Sequence, residues 1–170
     1  MAAEPQTTES VETLARAYFE RVGARDPDGM MEFWRPGGKG TIHGIAELTA
    51  PDSYRAWFVN LFAAFPDWRF EVEAVVADER RAAVRWRATG TFDGSAQFEG
   101  FDPTGDSVEL VGVDLLEVSE GQIIALDAYS NSIQLARQLG AMPERGSRGE
   151  RAMNAAFNLK TRVARRLRRS

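Results

Sequence analysis

The segment spanning residues 54–67, YRAWFVNLFAAFPD, constrains the fold more than any other. Its large apolar residues are Tyr54, Trp57, Phe58, Leu61, Phe62 and Phe65. They recur at i, i+3, i+4, i+7, i+8 and i+11, so a helix gathers all of them on one broad stripe. Pro51 suits the first turn, where its missing N–H costs nothing. Pro66 stops the helix. A stripe carrying five aromatic rings needs a large apolar cover, and the strands that follow are the obvious one. Two readings of the stripe stay open. It is plain core, or some of its rings line a pocket between helix and sheet.

After Asp67 the period changes to about two. Trp68, Phe70, Val72 and Ala74 alternate with Arg69, Glu71 and Glu73, which describes a strand with one wet face. Residues 82–92 and 107–119 read as further strands, rich in Val, Trp, Thr and Phe. Glu120-Gly121 is a hairpin signal, and residues 122–130 return as the last strand. A short helix follows over 133–139, closed by Gly140.

Before the central helix, residues 11–22 carry helical spacing, with Thr8 or Ser10 as cap and Gly23 as the end. Residues 1–7 read as a disordered start. DPDGMMEFW (26–34) reads as a short helix with Met30, Phe33 and Trp34 turned inward, and RPGGKG (35–40) as loop. Residues 41–45 make a short strand carrying His43, the sole histidine. Helices first, then a run of antiparallel strands, is an α+β pattern with helices packed on one face of a curved sheet.

Composition narrows the function. The chain has 170 residues, which suits one domain with a substantial core. It has no cysteine, which removes disulfides, thiol catalysis and thiolate metal sites, and fits a cytoplasmic setting. With one histidine there is no multi-histidine metal site. No apolar run reaches about 18 residues, so no transmembrane segment is expected. The start, MAAEPQTTES, is acidic and polar, unlike a secretory signal. From residue 145 to 170 there are nine basic residues and one acidic, leaving 12 basic and 24 acidic elsewhere. A body at −12 is a poor partner for nucleic acid. Neither G-x-S-x-G nor H-E-x-x-H occurs, and the glycines at 37, 38 and 40 lack the preceding strand of a dinucleotide or phosphate loop.

Several short stretches, in order, resemble the SnoaL-like polyketide cyclases of the nuclear transport factor 2-like superfamily. They are LFAAFPD (61–67), GTFDG (90–94), PTG (103–105), GVDLLEVSEGQI (112–123) and ARQLG (136–140). The resemblance covers about residues 11–142. It implies a cone: a strongly curved, mostly antiparallel sheet packed on three helices around an apolar pocket. It also implies a homodimer paired through the sheets and chemistry without a cofactor. The domain expected from it spans 8–143, followed by a basic amphipathic helical extension over 146–170.

In that family a pocket aspartate on the last strand, five residues after the Ile of the hairpin, serves as general acid/base. Counting from Ile123, that position is Ala128 here, and a second family aspartate three residues further is Asn131. The chain therefore departs from the pattern where it matters most. Asp127 stands next door. A bulge would turn it into the pocket, whereas a regular strand would put it on the opposite face from Ala128. Histidine is the side-chain type suited to acid/base work at neutral pH, and the resemblance places a polar residue of the first short strand, His43 here, at the pocket mouth. His43 and Asp127 are accordingly the expected acid/base pair. Tyr129 and Asn131 would orient substrate, Asp114 would also contact it, and Trp34, Trp57 and Phe58 would shape the pocket.

Asp114 interrupts an apolar strand. It is either exposed at the dimer face or buried with a partner, for which Arg85 and Arg87 are candidates. In the epoxide-hydrolase branch an Arg and an Asp two apart occupy a comparable strand beside an acid on the last strand; here the pair reads Arg85-Trp86-Arg87 and the last-strand acid is missing, which disfavours that branch.

Two functions follow from the resemblance. One is cofactor-free acid/base chemistry, a cyclisation, isomerisation or hydration, on a hydrophobic carbonyl compound. The other is a non-catalytic binder of a hydrophobic small molecule. The tail, ERAMNAAFNLKTRVARRLRRS, lies outside the resemblance. Three readings stay open: it packs on the body or a mate, frays into solvent, or makes a weak contact with anionic lipid or nucleic acid.

Overall fold

Thr7 opens the first helix rather than Thr8 or Ser10. Its side chain accepts from the Ser10 amide while the Ser10 side chain accepts from the Thr7 amide, a reciprocal capping box. The computed structural model describes residues 7–168. The expected disordered start, residues 1–7, lies outside them except for Thr7 itself. The elements run α1 (Thr8–Gly23), α2 (Pro27–Met31), β1 (Trp34–Ile42), β2 (Ala46–Thr49), α3 (Asp52–Ala64), β3 (Arg69–Ala77), β4 (Arg81–Thr91), β5 (Ser107–Ser119), β6 (Gln122–Ser130), α4 (Ser132–Gln138) and α5 (Arg148–Leu167).

The strands form one sheet in the order β2-β1-β6-β5-β4-β3. All neighbours are antiparallel except β1 and β6. Helices α1 and α3 cover one face, and the expected α+β architecture is present. The inner face carries Val84, Trp86, Val108, Leu110, Leu116 and Leu126, all buried. The alternation of β5 is regular over its whole length, as its sequence predicts.

Four local expectations are corrected. Helix α2 ends at Met31, and Trp34 starts β1 instead of closing a helix. The RPGGKG segment is strand, not loop. Its pairing with β6 shifts register between Trp34 and Lys39, and Gly37 takes φ +85, so a bulge lets Pro and two Gly sit inside a ladder. The strand then ends at Ile42, which leaves His43 in the turn to β2. Along β3 the alternation slips at a bulge between Val72 and Ala74. Val75 then faces inward and Val76 outward.

The central helix is seated by glycines on the sheet. On α3, Tyr54, Phe58, Leu61 and Ala64 are buried, and Phe65 just beyond them is buried too. Burying one such ring contributes roughly 1.5–3 kcal/mol. The Tyr54 ring lies flat against Gly40 of β1, where an added Cβ would sit 2.2 Å from Cε2 of the ring. Its hydroxyl hydrogen-bonds that of Tyr18 on α1 at 3.0 Å, so one ring ties both helices to the sheet.

Gly40→Ala should therefore destabilise the protein by roughly 1–3 kcal/mol, because the buried ring has nowhere to shift. Urea unfolding checks this, and an unchanged midpoint would refute the close seating of Tyr54.

Candidate functional site

Inward-facing aromatic rings from α1, α3, β3 and β4 do not close completely over the sheet. They leave a cavity of about 80 Å³ walled by Trp57, Phe58, Phe65, Trp68, Trp86 and Phe98, among others. Phe98 comes from the β4–β5 loop. There Glu99 and Gly100, at φ +49 and +82, make a tight turn that pairs Phe98 with Phe101. The turn is pinned to α3, since Trp57 Nε1 donates to Glu99 Oε1 at 3.0 Å.

Asp114 and Tyr18 are the titratable side chains on this wall, among the described residues. Asp114 is 7% exposed and is the buried charged residue of the core. It faces inward because β5 alternates without a break. Trp86 Nε1 donates to Asp114 Oδ1 at 2.7 Å. That contact depends on Gly112, which pairs with Trp86 across the ladder. A Cβ on Gly112 would lie 2.3 Å from the indole, so only glycine lets the ring lie across β5 and reach two residues along.

Burial pushes the Asp114 carboxyl up from 3.8 to about 7, against the opposing pull of the Trp86 hydrogen bond. An unpaired carboxylate in apolar surroundings is costly, so the neutral acid is the favoured form until pH approaches neutrality. Tyr18 and Tyr54 are both held neutral far above the usual phenol range, chiefly by burial.

The position of Asp114 answers the loss at Ala128. In the β5–β6 ladder Asp114 pairs directly with Ala128, and both line the cavity. The acid expected on the last strand stands one strand over, aimed at the same space.

The remaining predicted site residues divide sharply. Trp57 and Phe58 line the cavity as expected. Trp34 does not. It is core, packed 4.5 Å from Tyr54 between ring centres. His43 and Asp127 meet each other but not the cavity. Their hydrogen bond, Nε2 to Oδ1 at 2.8 Å, lies on the outer face with both side chains about two-fifths exposed. The reason is parity. The β5–β6 ladder is regular through this region, and Asp127 pairs with outward-facing Leu115. Tyr129 is also outward, stacked on the His43 ring at 4.1 Å. Asn131 caps α4 by accepting from the Gln134 amide at 3.0 Å. Arg85 and Arg87 face outward too and pair with Glu73 at 2.9 and 3.0 Å, not with Asp114.

Sequence reasoning missed Trp86, Tyr18, Phe98 and Ser130 as cavity residues. Trp86 could have been found from parity, since it alternates with Arg85 and Arg87. No set of three or more His, Cys, Asp or Glu side chains is placed to hold a metal ion, among the described residues.

The fold has known counterparts. A family model for the SnoaL-like domain matches residues 15–126. The chain belongs to that family, and its fold is that of the nuclear transport factor 2 and ketosteroid isomerase class. It is similar to AclR from Streptomyces galilaeus, a candidate hydroxylase, at 25% identity over 80% of this chain and 99% of that one, with a TM-score of 0.69. It is similar to a candidate SnoaL-like polyketide cyclase from Jannaschia sp. CCS1 at 27% identity over 84% and 99% of the two chains, also with a TM-score of 0.69. A candidate ketosteroid isomerase from Kribbella flavida shares the fold alone, at 21% identity over 73% and 79%, with a TM-score of 0.56. No curated protein matches the chain. Family and fold together mark it as a small-molecule enzyme or binder.

The raised acid gives a signed stability prediction. Because the folded state holds the Asp114 proton more tightly than the unfolded chain, its contribution is full below about pH 4 and is lost as pH rises to about 7. Asp114→Asn should thus be the more stable form at pH 8, by up to about 4 kcal/mol, with the advantage gone at pH 4. Trp86→Phe should raise the Asp114 midpoint further, because it removes the bond that favours the charged form. Denaturant unfolding against pH and carboxyl NMR titration read both, and an Asp114 midpoint near 4 would refute the assignment.

Proposed function

We propose that this protein is a cofactor-free acid/base enzyme acting on a hydrophobic carbonyl compound, with Asp114 as the group that moves the proton. The observation that carries this reading is the buried Asp114 carboxyl, poised near neutrality on the wall of an otherwise aromatic cavity. A catalytic acid/base works best when its pKa lies near the operating pH, and strongly shifted groups in clefts gather at functional sites.

The chemistry follows from one carboxyl. As a carboxylate, Asp114 takes a proton from the carbon next to the substrate carbonyl and leaves an enolate. As the resulting acid, it returns that proton to a different carbon for isomerisation, or to oxygen after the enolate has attacked a second carbonyl for ring closure. Trp86 holds Oδ1, and among the described residues no other hydrogen bond reaches the carboxyl, so Oδ2 is left for the substrate. The aromatic walls keep water away and strengthen the proton transfer electrostatically. His43 and Asp127 have no part in this step, because they lie on the other face of the sheet.

Ala128 favours a second reading, a binder that has lost the usual last-strand acid. α-Proton exchange of 2-tetralone in D₂O, followed by NMR, separates the two. The enzyme reading expects faster exchange with the wild type, a midpoint near pH 7, and a loss of about 10²-fold or more in Asp114→Asn. Equal rates in the two proteins would refute the role of Asp114. Tight binding of hydrophobic ketones with no exchange would favour the binder.

The outer face of the sheet supports pairing of two copies. Val113, Tyr129 and Ile133 are 42–53% exposed there, beside Val111 and Leu115. Such a contiguous apolar patch marks an interaction surface. Val113→Glu should then lower the mass in solution to that of one chain by light scattering, and an unchanged mass would exclude this face.

A further inference from the structure

We propose that α5 is an anionic-membrane anchor, held out from the body and docking on lipid through the arc centred on Met153 and Val163. The helix is tied down at its start. Ser147 caps it, Arg137 pairs with Glu150 at 2.7 Å, and the Gly146 amide donates to Glu150 Oε2. Beyond that turn the described side chains are exposed as far as Arg168, apart from half-buried Thr161. Phe157 and Leu159 are 67% and 64% exposed, an unusual state for such residues on a helix that only packed against its own domain.

Apart from Lys160, the residues divide round the helix. At 100° per residue, Leu159, Val163, Ala156, Met153, Ala164 and Phe157 fall on one arc, and Arg151, Arg162 and Arg165 fall opposite. That division, with aliphatic and aromatic residues against arginines, is the one that lies flat in a lipid headgroup layer.

Three observations choose lipid over other partners. Lys160 sits inside the apolar arc. A protein interface would have to bury its ammonium, whereas a helix at a membrane surface lets it reach up to the headgroups. Against a second copy of itself the helix would present Met153, Phe157, Lys160 and Ala164 as the repeating seam, a poor coiled coil. Nucleic acid needs no apolar arc, and the body of the chain at −12 opposes it. The same body would also repel an anionic membrane, but the reach of that repulsion is short. The helix has 20 residues, so it is about 30 Å long. Exposed charges of α5 that stand more than about 8 Å from the acidic body are largely screened from it at physiological salt.

Co-sedimentation of the full chain with vesicles tests this. At 0.1 M NaCl the protein should pellet with 70:30 phosphatidylcholine:phosphatidylglycerol vesicles, stay free of pure phosphatidylcholine, and be released at 0.5 M NaCl. Arg162→Glu with Arg165→Glu should weaken binding by at least about tenfold. Phe157→Ala with Leu159→Ala should weaken it by about fivefold or more. Removing 146–170 should abolish binding and leave the subunit count and the melting temperature of the body unchanged. The proposal is overturned by equal binding to neutral vesicles, by binding that survives the deletion, or by no binding at all. It is equally overturned if the deletion lowers the subunit count, which would make α5 a subunit contact, or if a 20-nucleotide RNA binds more tightly than the vesicles.

Discussion

The structure depends on covering a wide aromatic stripe with a sheet that has no side chains where the rings must land. Tyr54 lies on Gly40, and Trp86 lies across Gly112. A methyl group at either position would overlap the ring, so these strand glycines, which weaken a ladder by themselves, are offset by ring burial worth more. Because the rings are large and stiff they do not tile the inner face fully, and the cavity of about 80 Å³ is the space they leave.

The site is a consequence of that seating. Trp86 brings its indole N–H to Asp114 only because Gly112 lets it lie flat. One hydrogen bond does not repay the desolvation of a carboxylate, so burial wins and the proton is held to about neutrality. The features that make the core sound as packing thus create one group able to exchange a proton at ordinary pH. The cost is stability above the ordinary carboxylate range.

The two faces of the sheet carry separate tasks because residues alternate. Asp114, Ala128 and Ser130 look into the cavity. Asp127, Tyr129 and Val113 look out, where His43, a stacked ring and an apolar patch make a different surface. A shift of one residue in β6 would exchange these sets. The ladder from Glu117–Ala125 to Gly112–Ser130 holds the register without a break, and so fixes which acid is buried.

Much of this was legible in the sequence. The 3.6-residue stripe of α3, the two-residue alternation of β5 and the Glu120-Gly121 turn each encode local geometry, and each stands where the pattern put it. The order of the short family stretches pointed to the cone. Asp114 was visible as an acid in an apolar strand, although not its partner. Local patterns fell short where a bulge intervened, as in the RPGG stretch that remained strand, and in the helix that stopped before Trp34. By itself the sequence determined periodicity, turns and composition, because these depend on near neighbours and on φ/ψ preferences. Only the tertiary structure decided that Asp114 faces Ala128 across a ladder, that Trp86 and not an arginine holds it, and that His43 and Asp127 pair on the opposite face. Those facts depend on register between strands far apart in the chain, and burial, the source of the raised acid, exists only once the strands and helices have closed around it.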